Sequence, residues 1–181
     1  SDGNEVEAHR VIVAAGLSPY DPVEYKGKRV LTSLEYDARI DQKSGELPED
    51  FNKIGFFLCV GSRSKEYPLC SSVCCSYTIR EVKWTLQRAK PEIAVFGQEF
   101  YLEKVYRDAG VRFVRANSRY FEEDEEGVTV RYFVDGVLRE ERFNYIVLAI
   151  GLRPNPGLKD LSALFGFSLN EYGFVTEEDP L

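Results

Sequence analysis

Two apolar runs echo each other along this chain. Residues 11–22 read VIVAAGLSPYDP and residues 146–157 read IVLAIGLRPNPG. Each is a short run of branched and small apolar residues, then Gly-Leu, then a loop spaced by prolines. A run of this length without polar alternation predicts a strand buried on both faces. Gly16 and Gly151 allow a sharp turn at the strand end, and the prolines stop the chain from continuing in a sheet. Between the echoes the pattern alternates in type. SLEYDARI (33–40) predicts a short helix and KIGFFLCV (53–60) a central strand. CSSVCCSYTIREVKWTLQRA (70–89) predicts a helix, with Val73, Tyr77, Val82 and Leu86 at roughly helical spacing. EIAVFG (92–97) predicts a strand, EFYLEKVYRDAG (99–110) a helix closed by Gly110, and VRFVRA (111–116) another strand. GVTVRYFV and LREERFNY alternate around Asp135-Gly136 and predict a hairpin. YIVLAIG then returns to the parallel sheet, LKDLSALFGF predicts a short helix, and YGFVTEE a last strand. The fold class expected is α/β: a doubly wound, Rossmann-like parallel sheet with an antiparallel hairpin insertion.

Composition narrows the class without changing it. The chain has 181 residues, 44% hydrophobic and 29% charged, as in an ordinary globular protein. The charge is 23 − 30 = −7, which argues against a nucleic acid or an anionic membrane as partner. No apolar run is long enough to span a bilayer and no signal-peptide pattern opens the chain, so the expected compartment is cytoplasmic. There is no methionine at all. The chain opens on a hairpin end running into a strand and stops at TEEDPL, which reads as a fragment of a longer protein.

The chemistry is concentrated in one stretch. LCVGSRSKEYPLCSSVCCSY (58–77) holds all four cysteines: Cys59, Cys70, Cys74 and Cys75. A dinucleotide fold would carry G-x-G-x-x-G here, so that backbone amides could approach a pyrophosphate. Only Gly61 is in place, as the one candidate for cofactor contact, and ordinary nicotinamide binding is disfavoured. The spacing C-x10-C-x3-C-C puts Cys59 at a strand end and the other three at the start of the next helix. A helix N-terminus favours thiolate over thiol. Four thiolates are a full set for an iron–sulfur cluster, with Arg63, Lys65 and Arg80 available to offset its charge. Structural zinc, a redox-active thiol pair and plain buried thiols remain alternatives, although zinc sites favour paired knuckles and inert burial gives no reason for clustering.

Other residues attract less. His9 is the only histidine and stands without a partner motif. The acidic run 122–126 reads as a solvated loop without calcium-loop spacing. Trp84 reads as a core or domain contact.

At FFLCVGSRSKEYPLCSSVCCSY and YIVLAIGLRPNPG the sequence resembles the A subunit of heterodisulfide reductase and its relatives in quinone-interacting membrane-bound oxidoreductases and sulfur-oxidising complexes. The resemblance runs over nearly the whole chain, and C-V-G-S-R … C-S-x-V-C-C is its specific part. It implies a thioredoxin-reductase-like flavoprotein with two nested dinucleotide folds, the outer one binding FAD and the inner one in the place of a nicotinamide domain. It implies a [4Fe–4S] cluster on Cys59, Cys70, Cys74 and Cys75, electron transfer as the role, and other subunits of a heterodisulfide-reductase-like complex as partners, without direct membrane insertion. Residues 1–50 would be a remnant of the outer flavin fold plus connection, 51–157 the inner domain, and 158–181 a return segment. FAD would belong to the full-length parent, since the glycine fingerprint for it is absent here. The alternatives are a redox-silent docking domain and an NAD(P)-binding domain.

Overall fold

The computed structural model describes residues 7–25, 27–41, 50–98, 103–116 and 119–176. The opening hairpin end at 1–6, the first residues of the predicted second helix (99–102) and the final 177–181 lie outside the described residues. The chain forms two compact units. One runs from Pro19 to Leu152; the other combines Ser1–Ser18 with Arg153–Leu181.

The larger unit is built on a five-stranded parallel sheet of β2 (Val30–Thr32), β3 (Lys53–Val60), β4 (Glu92–Gly97), β5 (Arg112–Arg115) and β9 (Tyr145–Ile150), in the order β2-β9-β3-β4-β5. β9 and β3 are interior strands, and their burial matches their unbroken apolar sequence. All six residues of β9 and seven of the eight in β3 are buried. Side-chain alternation sends Ile54, Phe56 and Leu58 to one side of the sheet and Phe57 and Val60 to the other. On the first side they meet α1 (Ser33–Asp41), α2 (Cys74–Arg88) and α3 (Glu103–Asp108), through Tyr36, Val82 and Tyr106. On the second they meet an antiparallel sheet of β6 (Arg119–Glu123), β7 (Val128–Val134) and β8 (Val137–Phe143). Phe57 stacks on Phe96 at 4.2 Å, and Tyr132 and Phe143 pack edge-on against Phe96. Burying each such ring is worth about 1.5–3 kcal/mol, so both faces of the sheet are firmly covered.

The smaller unit holds α4 (Leu158–Phe165), which ends at Gly166 with φ of 75° as its sequence predicts. Asn155 donates to the Ala15 carbonyl at 2.9 Å and joins the two chain segments. β1 (Leu17–Pro19) and β10 (Leu152–Pro154) pair where the chain passes between the units.

Several elements differ from expectation. Residues 11–16 form no strand, and Ile12 is 91% exposed. A strand needs neighbours to take up its amides and carbonyls, and none of the described residues pairs with this run. The final predicted strand is reduced to one bridge, Leu169 with Val175. β1, β2, β6 and β10 are strands the pattern did not announce, and β1 and β10 each end on a proline expected to stop the sheet, which a strand's last residue tolerates. The acidic run is only partly a loop: Glu122 and Glu123 close β6, and Glu123 Oε1 accepts the Lys28 and Arg29 amides at 2.8 and 3.1 Å. That carboxylate is a structural anchor for the approach to β2.

Candidate metal centre

β3 ends with an irregularity. Its pairing with β9 shifts register between Phe57 and Val60, and Cys59 between them has φ of 61°. A non-glycine residue in the left-handed region is strained. Arg63 at 54° and Ser72 at 60° repeat this conformation in the following loop. Three of the four such residues among those described thus fall between the first and last cysteine.

The loop is closed by its own hydrogen bonds. The Arg63 amide donates to the Leu69 carbonyl at 3.1 Å and the Ser64 amide to the Tyr67 carbonyl at 3.0 Å. Ser62 and Ser71 share a hydroxyl bond at 2.7 Å, and Ser71 Oγ accepts the Leu152 amide at 2.9 Å. These ties fold residues 61–72 back on themselves and return Cys70 toward Cys59. Gly151 makes the closure possible: a Cβ there would lie 2.1 Å from Ser62 Oγ and 2.5 Å from Ser71 Oγ. The second apolar echo therefore ends in glycine because the cysteine loop crosses over it.

α2 starts at Cys74, later than its sequence pattern suggests. Cys70 is consequently in the loop and shares no helix face with Cys74. The left-handed Ser72 keeps the helix from starting earlier, and its amide donates to Cys70 Sγ at 3.4 Å. Val73 caps α2 without any side-chain acceptor, so the positive end of the helix lies at Cys74 and Cys75.

Cys59 at the end of β3 and Cys75, the next residue on α2, both act on Cys74. The Cys74 thiol hydrogen-bonds with Cys59 and Cys75, and their backbone amides add to it. Together these overcome the cost of burial and hold Cys74 well below the usual thiol range. Cys75 is pushed up by its bond to Cys74 and by burial, and then by the charges of Cys74, Cys59 and Cys70. Every one of the other three sulfurs is near enough to act on it. Cys59 and Cys74 are buried, Cys75 is half-buried and Cys70 is exposed, so the group reaches from the core to the surface. All four are free thiols. Among the described residues, no three His, Cys, Asp or Glu side chains surround one point closely enough for a single metal ion.

Gly61 has φ of 73°, and a Cβ on it would meet the Tyr20 ring at 2.3 Å. The aromatic ring covers this glycine directly. Tyr77 ties the start of α2 to the end of β9, its hydroxyl donating to the Ile150 carbonyl at 2.6 Å. Arg80 is engaged away from the sulfurs, bonded to Asp37 at 2.6 Å and lying 5.1 Å over the Trp84 ring. Trp84 is partly buried against the helix-side core, as its spacing predicts. His9 is exposed in the smaller unit. Sequence reasoning missed Tyr20, Ser62 and Ser71, whose roles depend on tertiary contacts. It also missed buried Glu81 and half-buried Asp37 on the helix side.

No protein-family model matches the chain. The A subunit of the H(2):CoB-CoM heterodisulfide,ferredoxin reductase of Methanothermobacter marburgensis is 28% identical over 209 residues, covering 97% of this chain and 31% of that protein. The second iron-sulfur A subunit of the CoB--CoM heterodisulfide reductase of Methanopyrus kandleri is also 28% identical, over 207 residues and the same shares. The chain thus spans about a third of the length of these curated relatives. Among solved structures, the thioredoxin reductase of T. acidophilum superposes with a TM-score of 0.54 at 14% identity, over 88% of this chain and 49% of that one. That likeness establishes the fold, a parallel Rossmann-type sheet carrying an antiparallel one. Taken with the cysteine block, the sequence matches make this chain similar to heterodisulfide reductase A subunits, on a thioredoxin-reductase-like fold.

Proposed function

We propose that this chain is the inner domain of a larger heterodisulfide-reductase-A-like flavoprotein, and that it carries a [4Fe–4S] cluster on Cys59, Cys70, Cys74 and Cys75. The observation that carries this reading is the placement of all four cysteines at one end of the sheet: Cys59 at the end of β3, Cys74 and Cys75 opening α2, and Cys70 in the loop between, its Sγ bonded by the Ser72 amide. In such a cluster each sulfur binds a different iron, so the ligands stand wider apart than around one ion. The donor set fits: four thiols, one held toward thiolate, at an uncapped helix start. When bound, the cluster would supply one-electron transfer.

The chain's own part is ligation, burial and access. Cys59 and Cys74 hold the inner side of the centre away from water, and exposed Cys70 marks the side from which a partner is reached. The strained loop presets the ligands, so that less ordering is needed on binding. Residues 51–157 form the inner domain in this reading, with 1–50 and 158–181 belonging with the outer fold. FAD is bound by the parent protein, and the partners are other subunits of a heterodisulfide-reductase-like complex. Gly61 serves the turn beneath Tyr20, and titration with NAD(P)H is expected to give no binding.

The test is iron and sulfide content of the full-length parent and of this chain after anaerobic reconstitution, with each cysteine replaced by serine in turn. Stoichiometric cluster in the parent, lost on replacing Cys59, Cys74 or Cys75, supports the reading. A cluster retained after Cys74→Ser, or a parent that takes up no iron in this domain, refutes it.

A further inference from the structure

Behind the cysteines, α2 carries a line of polar side chains into the core. Cys74, Thr78, Glu81 and Thr85 are spaced four, three and four apart, which places them on one helix face. Thr78, Glu81 and Thr85 are each 0% exposed. Thr85 is satisfied: it donates to the Glu81 carbonyl at 2.8 Å and shares a bond with Tyr36 Oη at 2.5 Å. The others are not. Among the described residues, Thr78 Oγ1 and both carboxyl oxygens of Glu81 have no hydrogen-bond partner, and neither has Asp37 Oδ1 on α1. Yet the two carboxyl groups are neighbours: Arg80, next to Glu81 in the chain, bonds Asp37 Oδ2 at 2.6 Å, and the charge of Asp37 acts on Glu81. Two carboxyl groups make a hydrogen bond only when a proton lies between them. One proton on Glu81, donated to Asp37, would satisfy an oxygen on each.

The surroundings agree. Burial first, then the charge of Asp37, raise Glu81 to about 9, against the opposing pull of Arg80. From α1 the neighbours are Asp37 and Tyr36, from α2 Arg80 and Tyr77, and from α3 Tyr106. The sheet presents apolar Phe56, Leu58 and Val147 to this side. Asp37 Oδ2 is held by Arg80, which is half-exposed and opens the pair to solvent. Thr78 stands on the same helix face between Glu81 and Cys74.

We propose that Asp37 and Glu81 share a single proton and form a buried proton-binding site whose occupancy follows the charge of the cysteine centre. The coupling rests on those cysteines holding the cluster proposed above; the proton site itself does not. When an electron arrives at the centre, the added negative charge favours the protonated pair. Above the pH at which the pair has released its proton, an electron delivered by a one-electron reductant such as a reduced iron–sulfur protein is accompanied by a proton that enters from solvent past Arg80, and one O–H bond forms on a carboxylate. Oxidation reverses both steps.

Infrared spectroscopy of the iron-free chain tests the site. A neutral carboxylic acid C=O band is expected at neutral pH, shifting in D2O and fading as the pH rises through about 9. Glu81→Gln abolishes it. Asp37→Asn, whose amide supplies the missing donor, moves its loss to lower pH. No such band at neutral pH, or one unchanged in Glu81→Gln, overturns the site. In the loaded chain the midpoint potential is expected to fall with pH above that titration, by up to about 59 mV per pH unit for one proton per electron, and to stay flat in Glu81→Gln. An identical pH dependence in both proteins overturns the coupling. A chain that shows the band but takes up no iron refutes the cluster and the coupling while the proton site stands.

Discussion

Replacing Glu81 by glutamine isolates the energetic cost of a buried acid. The side chain is 0% exposed and meets no donor. Its folded-state value is raised to about 9 from an ordinary 4.5. In the unfolded chain the group ionises as pH rises past the ordinary value, while in the fold it stays neutral, so the unfolded state gains stability. A raised acid therefore contributes fully at low pH and loses its contribution as pH climbs toward the folded value. Each pH unit in that window is worth about 1.4 kcal/mol. Between about pH 4 and pH 7 the loss comes to about 3 kcal/mol. Against a domain stability of about 5–15 kcal/mol this is a large share. Glutamine has the same shape, cannot ionise, and can donate its amide to Asp37 Oδ1. Urea unfolding of both proteins across this pH range is the assay. The Glu81→Gln protein should gain about 3 kcal/mol on the native chain between the acid and neutral ends, with every other titration cancelling in the difference. A stability difference independent of pH would refute the reasoning.

Gly151→Ala should cost about 1–3 kcal/mol in chemical unfolding and lower iron uptake, because its methyl group would displace Ser62 and Ser71 from the loop closure. Tyr36→Phe should cost about 1–2 kcal/mol by thermal unfolding. Thr85 gives its hydrogen to the Glu81 carbonyl, so Tyr36 is the donor between them and its loss leaves a buried acceptor bare. Glu141 is held below its usual range: burial opposes this, but bonds to Arg112 at 2.5 Å and Lys53 at 2.9 Å outweigh it. A depressed acid stabilises above its unfolded value and stops doing so as pH falls through its folded one. Glu141→Gln should thus cost about 1–3 kcal/mol at neutral pH, and the gap to the native protein should close on acidification in matched unfolding curves.

How legible these features were depended on where the information resides. β3, β4 and β9 could be read directly because interior parallel strands are apolar through most of their length, whichever way a side chain points, and the edge strand β5 by its apolar Phe113-Val114 centre. The hairpin at Asp135-Gly136 was equally plain, since turn chemistry is local. β2 was hidden because three residues beside a polar connection carry no period; its strand character comes from pairing with β9. Residues 11–16 show the converse, an apolar run that forms no strand without neighbours to pair with. At the candidate site, the four cysteines stand out by their clustering in the sequence, but the start of α2 was misplaced. Its apolar period extends back to Val73, whereas the left-handed Ser72 delays the helix, and backbone strain of that kind has no signature in composition. Glu81 was invisible for a simpler reason. A carboxylate in a helix reads as a solvated position unless the packing over it is known.

The larger unit begins and finishes at the same place. The Tyr20 amide donates to the Gly151 carbonyl at 2.9 Å, so its entry and its exit lie one hydrogen bond apart. A body whose two ends meet can be spliced into a surface turn of another protein without prising that host apart, or have its ends joined and be reopened elsewhere. The same proximity makes the ends of this unit a natural seam for recombination, at which one such body can be exchanged for another.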